Sequence, residues 1–234
     1  MSETEVKRPA SLLLLNGGVG KRSGHEEPKQ FYELHGHPML AYSIVAALKV
    51  PEIQEIVVNA PEGYVERTER ALRNYASTVP FKVVPCGATR QESSYILAKA
   101  ASYDRVVLHE SARPMVTGPM YRQLLEYPEE NVGFFSDIPF SMCRLDPETG
   151  KIKRNVRRDR VFNIQLPQKF ERDTLLAAHD AALKAGKTYT EDAVLVFKMT
   201  DADVYSLEGS HQNIKVTNRE DFVIVKQLMS GGAK

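Results

Sequence analysis

The feature that most constrains the fold is a regular alternation of short apolar segments with segments of helical pattern. The apolar segments have the length of buried strands and span residues 11–15, 55–59, 81–84, 105–109 and 132–135. Helical patterns separate them at residues 40–48, 64–75, 92–101 and 119–125. Such alternation predicts right-handed crossovers and a mostly parallel sheet with helices on both faces. Ligands of such sheets bind at the carboxyl ends of the strands.

The alternation stops after residue 135. Residues 136–162 are polar and charged around Pro147-Glu148-Thr149-Gly150, with short β-like flanks, and they predict an arm inserted into the domain. The pattern then resumes, with helices expected at 173–185, 191–197 and 219–229 and a strand at 204–207. The chain has 234 residues, of which 42% are hydrophobic, enough for one large α/β domain over residues 1–234.

Charge and hydropathy exclude several classes of protein. The formal net charge is +1, so the bulk charge indicates neither a nucleic acid nor an anionic membrane as partner. No apolar segment approaches the roughly 18 residues that cross a bilayer, and the polar first residues lack the apolar run of a signal peptide. Cys86 and Cys143 are too far apart in sequence to suggest a disulfide framework or a zinc motif. We expect a cytoplasmic protein in which any phosphate binding is local.

The strongest local motif, NGGVGKRSGHEEPKQ at residues 16–30, directly follows the first predicted strand. It combines glycines, which let backbone N–H groups approach phosphate oxygens, with cations close by in the sequence. These residues are Gly17, Gly18, Gly20, Lys21, Arg22 and Lys29. The pattern indicates a phosphate-binding loop. A tight turn with solvated surface cations is the alternative for the loop taken alone.

Two better-known glycine motifs do not fit this loop. In a Walker loop a glycine would stand at Leu15 and a Ser or Thr at Arg22. In a dinucleotide fingerprint the third glycine would stand at Ser23, and no acidic residue closes a second strand about 20 residues further on. These differences argue against an NAD-dependent oxidoreductase, which is kept as a rival hypothesis.

Three linked motifs follow the first strand: Gly18-x-Gly20-x-Arg22, Pro28-Lys29-Gln30-Phe31 and Leu34-x-Gly36-x-Pro38-Met39-Leu40. They resemble the opening signature of the nucleotidyltransferases acting on methylerythritol 4-phosphate and ribitol 5-phosphate. The resemblance continues through Gly87-x-x-Arg90-x-x-Ser93, HESARP at 109–114, Pro167-Gln168-x-Phe170 and NIKVT at 213–217. It implies a Rossmann-like, mostly parallel sheet of the nucleotide-diphospho-sugar transferase type with a projecting β-arm. It also implies Mg2+-dependent transfer of CMP from CTP to a small polyol phosphate, with release of pyrophosphate.

The resemblance also assigns roles to individual residues. The catalytic cations are Arg22, Lys29 and Lys215. The nucleotide-binding residues are Asn16, Gly17, Gly18, Gly20, Gly87, Arg90, Ser93 and Glu110. The acceptor-binding residues are Arg113, Arg158 and Thr190. Glu110 stands where the family usually has Asp and is the candidate ligand of Mg2+ or of the ribose, whereas His109 is interpreted as a packed strand residue.

These residues suit a displacement in which the acceptor's phosphate oxygen attacks the α-phosphorus of the nucleotide. The protein then has to position two anions and neutralise their charge, and it needs no nucleophile of its own. Converging cations helped by Mg2+ meet that requirement even in a nearly neutral chain.

Several positions depart from the family pattern. The family usually has Ala-Ala-Gly where this chain has Asn16-Gly17-Gly18, and an acidic residue at Ala88, so the choice between CTP and UTP stays open. Leu166 and Met142 replace hydroxyl-bearing residues that would meet the acceptor's phosphate. We therefore expect ribitol 5-phosphate as the acceptor, with methylerythritol 4-phosphate as the alternative.

Assembly and catalytic competence are two further expectations. The family forms a homodimer through the arm and lends acceptor-site residues to the neighbouring subunit, so we expect a homodimer through residues 136–162. A polar arm with β-like flanks would otherwise expose unpaired strand edges. The altered acceptor positions also suit a catalytically silent nucleotide-binding relative, a hypothesis that the intact Arg22, Lys29 and Lys215 oppose.

Overall fold

A computed structural model describes residues 8–18 and 27–231, and its centre is a seven-stranded sheet. In chain order the strands are β1 (Ala10–Leu15), β2 (Glu33–Leu34), β3 (His37–Pro38), β4 (Ile53–Ala60), β5 (Phe81–Pro85), β6 (Arg105–Glu110), β7 (Val132–Ser136), β8 (Met142–Leu145), β9 (Ile152–Val156), β10 (Asn163–Glu171) and β11 (Tyr205–Glu208). The large sheet has the order β11-β7-β10-β6-β1-β4-β5. Its neighbours run parallel except β10, which is antiparallel to β6 and β7. The sheet is mostly parallel, as predicted.

Helices cover both faces of this sheet. They are α1 (Met39–Ala47), α2 (Val65–Tyr75), α3 (Arg90–Ala100), α4 (Gly118–Glu126), α5 (Arg172–Lys184), α6 (Asp192–Met199) and α7 (Arg219–Gly231). Successive side chains of the central strand β1 point to opposite faces of the sheet, and both faces are apolar. Leu12 and Leu14 pack with α1, α2 and α4 on one face, whereas Leu13 packs with α3, α5 and α6 on the other. None of the helices in the described residues is both long and apolar enough to span a membrane.

Strand β10 is the main element that the sequence pattern did not predict. It lies between β6 and β7, inside the sheet. Its pairing with β7 shifts register between Gln165 and Gln168, on either side of Leu166-Pro167. A proline inside an apolar run argues against a central strand because it cannot donate a ladder hydrogen bond, and the buried polar residues Gln165, Gln168 and Lys169 hide the apolar pattern.

The predicted arm contains the antiparallel hairpin β8–β9, which forms a separate two-stranded sheet between β7 and β10 in the chain. Its strand residues are exposed or half-buried. Large apolar side chains of residues 136–162 are exposed as well, and they are Phe140 (73%), Leu145 (55%), Ile152 (74%) and Phe162 (54%). The arm therefore adds little to the core of its own chain.

Candidate active site

A cavity of about 350 Å³ opens at the carboxyl ends of β1, β4, β5 and β6, where a parallel sheet is expected to bind its ligand. Most of the residues predicted to handle the nucleotide line it together. They are Asn16, Gly17, Gly18, Lys29, Gly87, Arg90, Ser93, Glu110 and Lys215. Gly20 and Arg22 were also predicted and lie outside the described residues. Segments separated by up to about two hundred residues thus meet at one strand-end crevice.

Side-chain amides hold the first wall of this cavity, which is the loop after β1. The backbone N–H of Asn16 donates to Asn59 Oδ1 at 2.6 Å, and Gln30 Nε2 donates to the carbonyl of Asn16 at 2.6 Å. Asn59 Nδ2 also donates to Cys86 Sγ at 3.4 Å. A Cβ atom on Gly17 would lie only 2.6 Å from Cys86 Sγ. The Cys86 thiol therefore occupies the space that a larger residue at position 17 requires.

The second wall is the turn between β5 and α3. Thr89 caps α3, accepting a hydrogen bond from the N–H of Glu92 at 3.1 Å, and Glu92 accepts one from the N–H of Ala88 at 2.7 Å. Ser93 Oγ accepts from the N–H of Gly87 at 3.0 Å. A Cβ atom on Gly87 would lie 2.5 Å from Glu92 Cγ, so this close turn requires glycine. The side chains of Glu92 and Ser93 in α3 thus hold the backbone of the turn in place.

The third wall is an ion cluster around Glu110, at the end of β6. Glu110 is 7% exposed, and its two carboxylate oxygens contact Lys215 Nζ at 2.7 Å and Arg113 Nε at 2.8 Å. Burial alone would raise the pKa of Glu110, but Lys215 and Arg113 outweigh it and lower that pKa to about 2. The carboxylate is therefore ionised at neutral pH and holds Lys215 beside the cavity.

Lys29 joins the loop wall to the segment that carries Lys215. Its Nζ donates to the carbonyl of Val216 at 2.6 Å, and the N–H of Val216 donates to the carbonyl of Ala112 at 2.8 Å. Two predicted cations, 186 positions apart in the sequence, are thereby fixed on neighbouring backbone segments. Their convergence is what a site for a polyanionic ligand requires.

The predicted acceptor residues do not gather in the same way. Arg113 is 7% exposed and donates from Nη1 to the carbonyl of Asn213 at 2.7 Å, so its contacts favour bracing Glu110 over holding a phosphate. Arg158 lies in the arm and donates to the carbonyl of Pro139 at 2.9 Å. Thr190 is exposed and directly precedes Glu191. None of the three lines the cavity within the described residues.

The interpretation of Leu166 needs correction. Its side chain is 2% exposed and packs in the core with Phe170 and Leu175. Its carbonyl accepts a hydrogen bond from Asn213 Nδ2 at 2.7 Å. The side chain therefore does not face an acceptor, and replacing a hydroxyl there cannot indicate which polyol phosphate is used. Met142 lies in the arm, paired with Val156.

Several residues of the site were not predicted from sequence. Asn59 and Cys86 line the cavity, and Asp192 binds Arg90 from behind it. The available signal was position: Asn59 is a polar residue near the end of an otherwise apolar strand, and Cys86 directly follows one. Asp192 carries no such signal, because it begins a helix more than a hundred residues after its partner.

Comparison with known protein families identifies the family to which the chain belongs. The model of the IspD family, described as 2-C-methyl-D-erythritol 4-phosphate cytidylyltransferase, matches residues 11–230. The chain belongs to this family. It is therefore a cytidylyltransferase, an enzyme of the nucleotidyltransferase class, as the sequence motifs indicated.

Individual relatives of the chain agree with this family assignment, as two comparisons of this cytidylyltransferase show. It is 31% identical to the 2-C-methyl-D-erythritol 4-phosphate cytidylyltransferase of Clostridium botulinum (strain 657 / Type Ba4), with 94% of this chain and 96% of the relative covered. It is also 31% identical to that of Synechococcus sp. (strain JA-3-3Ab), with 93% and 96% covered. Both names support the methylerythritol alternative, and neither supports the expectation of ribitol 5-phosphate.

Solved structures show the same fold. The 2-C-methyl-D-erythritol 4-phosphate cytidylyltransferase of Thermus thermophilus superposes with a TM-score of 0.75 at 25% identity, covering 93% of this chain and 98% of the other. The 4-diphosphocytidyl-2C-methyl-D-erythritol synthase of Anaerococcus prevotii has a TM-score of 0.83 at 21% identity, covering 96% and 99%. The predicted α/β fold class of the cytidylyltransferase is confirmed.

Proposed function

We propose that this cytidylyltransferase transfers CMP from CTP to 2-C-methyl-D-erythritol 4-phosphate and releases pyrophosphate, with Mg2+ as cofactor. The observation that carries the proposal is the convergence of Lys29, Lys215 and the capped turn at Gly87 on one cavity at the strand ends. The names of the relatives support the acceptor. Cytoplasmic location remains a prediction.

The reaction is a displacement at phosphorus. An oxygen of the acceptor's phosphate forms a new bond to the α-phosphorus of CTP, and the bond from that phosphorus to the bridging oxygen breaks, so that pyrophosphate leaves with the electron pair. No side chain forms a covalent intermediate. Lys29 and Lys215 bring two positive charges to the cavity where negative charge accumulates, a preorganised effect of the kind that supplies much of the rate enhancement in such transfers.

The donor set fits Mg2+ bound mainly through substrate phosphates. No group of three or more His, Cys, Asp or Glu side chains suited to a metal occurs in the described ranges 8–18 and 27–231. Glu110, ionised at the cavity wall, is the protein's candidate ligand, and one or two carboxylates plus phosphate oxygens are usual for Mg2+. When bound, the ion neutralises charge on the triphosphate.

The acceptor side of the site is proposed to be completed by a second subunit. The exposed Phe140, Leu145, Ile152 and Phe162 give the arm an apolar surface that a second arm can cover. Arg158 lies on the same arm, so a homodimer through residues 136–162 would carry this arginine toward the neighbouring subunit. The homodimer is a proposal that rests on these exposed side chains.

Steady-state release of pyrophosphate tests the proposed reaction. CTP and UTP would each be combined with 2-C-methyl-D-erythritol 4-phosphate, ribitol 5-phosphate and other polyol phosphates. We expect the highest kcat/KM for CTP with 2-C-methyl-D-erythritol 4-phosphate. A higher value for another acceptor would contradict the proposal, and CTP binding without any turnover would instead identify a catalytically silent relative.

A further inference from the structure

Asp192 is a buried carboxylate behind the nucleotide wall, the name given to the three walls of the cavity together. It begins α6, is 1% exposed, and lies outside the residues that line the cavity. Its two oxygens accept hydrogen bonds from Arg90 Nη1 at 2.6 Å and from Ser94 Oγ at 2.7 Å. His179 Nε2 of α5 lies 3.3 Å from Oδ1. One carboxylate therefore ties α3 to both α5 and α6.

Electrostatics keep this carboxylate ionised. Burial alone would raise the pKa of Asp192, but the Arg90 guanidinium, with the His179 ring and the Ser94 hydroxyl close by, outweighs it and holds the pKa well below its ordinary range. A buried charge of this kind is tolerated only while it stays paired. Arg90 and Asp192 are thus locked together.

Arg90 has little else to fix its position. Its Nε and Nη2 atoms are shielded from solvent and have no hydrogen-bond partner in the part of the chain that the structure describes. Nη2 lies 3.6 Å from Glu191, an ion-pair distance but too long for a hydrogen bond. The bond to Asp192 is consequently the main contact that fixes the guanidinium of Arg90, a residue that lines the cavity.

Two of the three partners of Asp192 lie on the first turns of α3. Arg90 is the first residue of that helix and itself lines the cavity, and Ser94 follows one turn later. Between them Ser93 accepts the hydrogen bond from the N–H of Gly87 that shapes the turn between β5 and α3. Displacing Arg90 and Ser94 would therefore displace the turn that is predicted to recognise the base.

We infer that Asp192 is a positioning residue for the nucleotide, acting through Arg90 and Ser94 on residues 87–93. The inference rests on the proposed function, because it takes the cavity to be the CTP site. Asp192 touches no substrate. Its loss should weaken CTP binding while leaving the chemical step nearly intact.

The test is a double-mutant cycle read by direct calorimetric titration of CTP. Asp192→Asn keeps the volume of the side chain and an acceptor for Ser94, but it removes the charge that holds Arg90. Since a hydrogen bond to a charged group is involved, we expect Kd and KM for CTP to rise about tenfold or more, with kcat within about threefold. In an Arg90→Ala background the same change should add less than about twofold, because the contact no longer exists.

Asp180→Asn is the matched control. Asp180 accepts a hydrogen bond from Tyr95, so the substitution alters the same α3–α5 interface without touching Arg90. Its CTP affinity should stay at the wild-type value. If Asp192→Asn fails to fold, Ser94→Ala removes one of the hydrogen bonds and should still raise the Kd for CTP severalfold.

Two results would overturn the inference. One is an equal loss of CTP affinity for Asp192→Asn with and without Arg90, which would indicate general destabilisation. The other is a loss of kcat at unchanged CTP affinity. Failure of the proposed function is a separate result: the wild-type protein would then release no pyrophosphate, whereas the binding cycle can be measured without turnover.

Discussion

The nucleotide wall and the arm differ in how a single chain stabilises them. At the wall, buried carboxylates are paired with half-buried cations from distant segments, Glu110 with Lys215 and Asp192 with Arg90. The charged pairs of the arm, Lys153 with Asp146 and Arg157 with Asp159, are exposed and local in sequence. Exposed pairs contribute little to stability, whereas breaking a buried pair costs several kcal/mol. The nucleotide side is therefore preorganised within one subunit, whereas the arm has few buried contacts of its own, as its proposed role as an interface requires.

The largest expected effect comes from removing a cation of the nucleotide wall. Lys215→Ala and Lys29→Ala should each lower kcat/KM on the order of 10²-fold, about 3 kcal/mol, because each loses a preorganised charge at the reacting phosphates. Lys184→Ala removes the same side chain from an exposed position at the end of α5, outside the cavity and the arm, and should change kcat/KM less than about twofold. Pyrophosphate release measures all three. Turnover of either wall mutant within threefold of wild type would contradict the mechanism.

The second prediction tests the arm as an interface. Ile152→Glu should raise the dissociation constant of the homodimer on the order of 10³-fold, since the dimer buries two copies of this side chain and each contributes about 2 kcal/mol. Ile152 is 74% exposed in the single chain, so the free energy of unfolding of the monomer should be unchanged. Sedimentation equilibrium measures the association.

Leu183→Glu on α5 is its control. Leu183 is 73% exposed and lies outside the arm, so this substitution should leave the dimer intact. A wild-type protein that stays monomeric at micromolar concentration would reject the proposed interface altogether.

A third prediction concerns close packing at the nucleotide wall. Gly17→Ala should raise the Kd for CTP about tenfold, about 1.4 kcal/mol, because the new Cβ would clash with Cys86 Sγ and displace the loop. Adding Cys86→Ala removes that sulfur and should restore most of the affinity. Calorimetric titration of CTP into the single and double mutants checks this. Equal affinity of Gly17→Ala and the double mutant would show that the thiol is not the obstacle.

The smallest effect is a pH dependence of stability. Burial lowers the pKa of His109 to about 3, whereas an unfolded histidine titrates near 6.5. Between these values the unfolded chain binds a proton that the folded chain does not, so the free energy of unfolding falls as the pH falls. His109 should account for a loss of about 1 kcal/mol between pH 7.5 and 5.5, a loss that is absent in His109→Gln. Urea unfolding at both pH values measures it, and identical losses in the two proteins would contradict the assignment.

Sequence patterns predicted the elements that bury apolar side chains and missed the strand that buries polar ones. The strands with uninterrupted apolar runs, such as β1 and β6, agree with their predictions to within one residue at either end. Strand β10 was missed because Pro167 and the buried Gln165, Gln168 and Lys169 obscure its pattern, and their burial depends on neighbouring strands. Local apolar periodicity reports on the face that an element buries, but not on polar groups satisfied by distant partners.

The amino-acid sequence by itself determined the α/β fold class, the glycine loop, the arm at residues 136–162 and membership of a cytidylyltransferase family. These properties depend on local patterns and on motifs that the chain carries intact. Only the tertiary structure decided which way individual side chains face: Leu166 into the core, Arg113 against Glu110, and Asp192 onto Arg90 across 102 positions of sequence. The direction in which a side chain points and the partner that it binds depend on strand register and on how the helices pack. These bring together groups that no local sequence pattern relates.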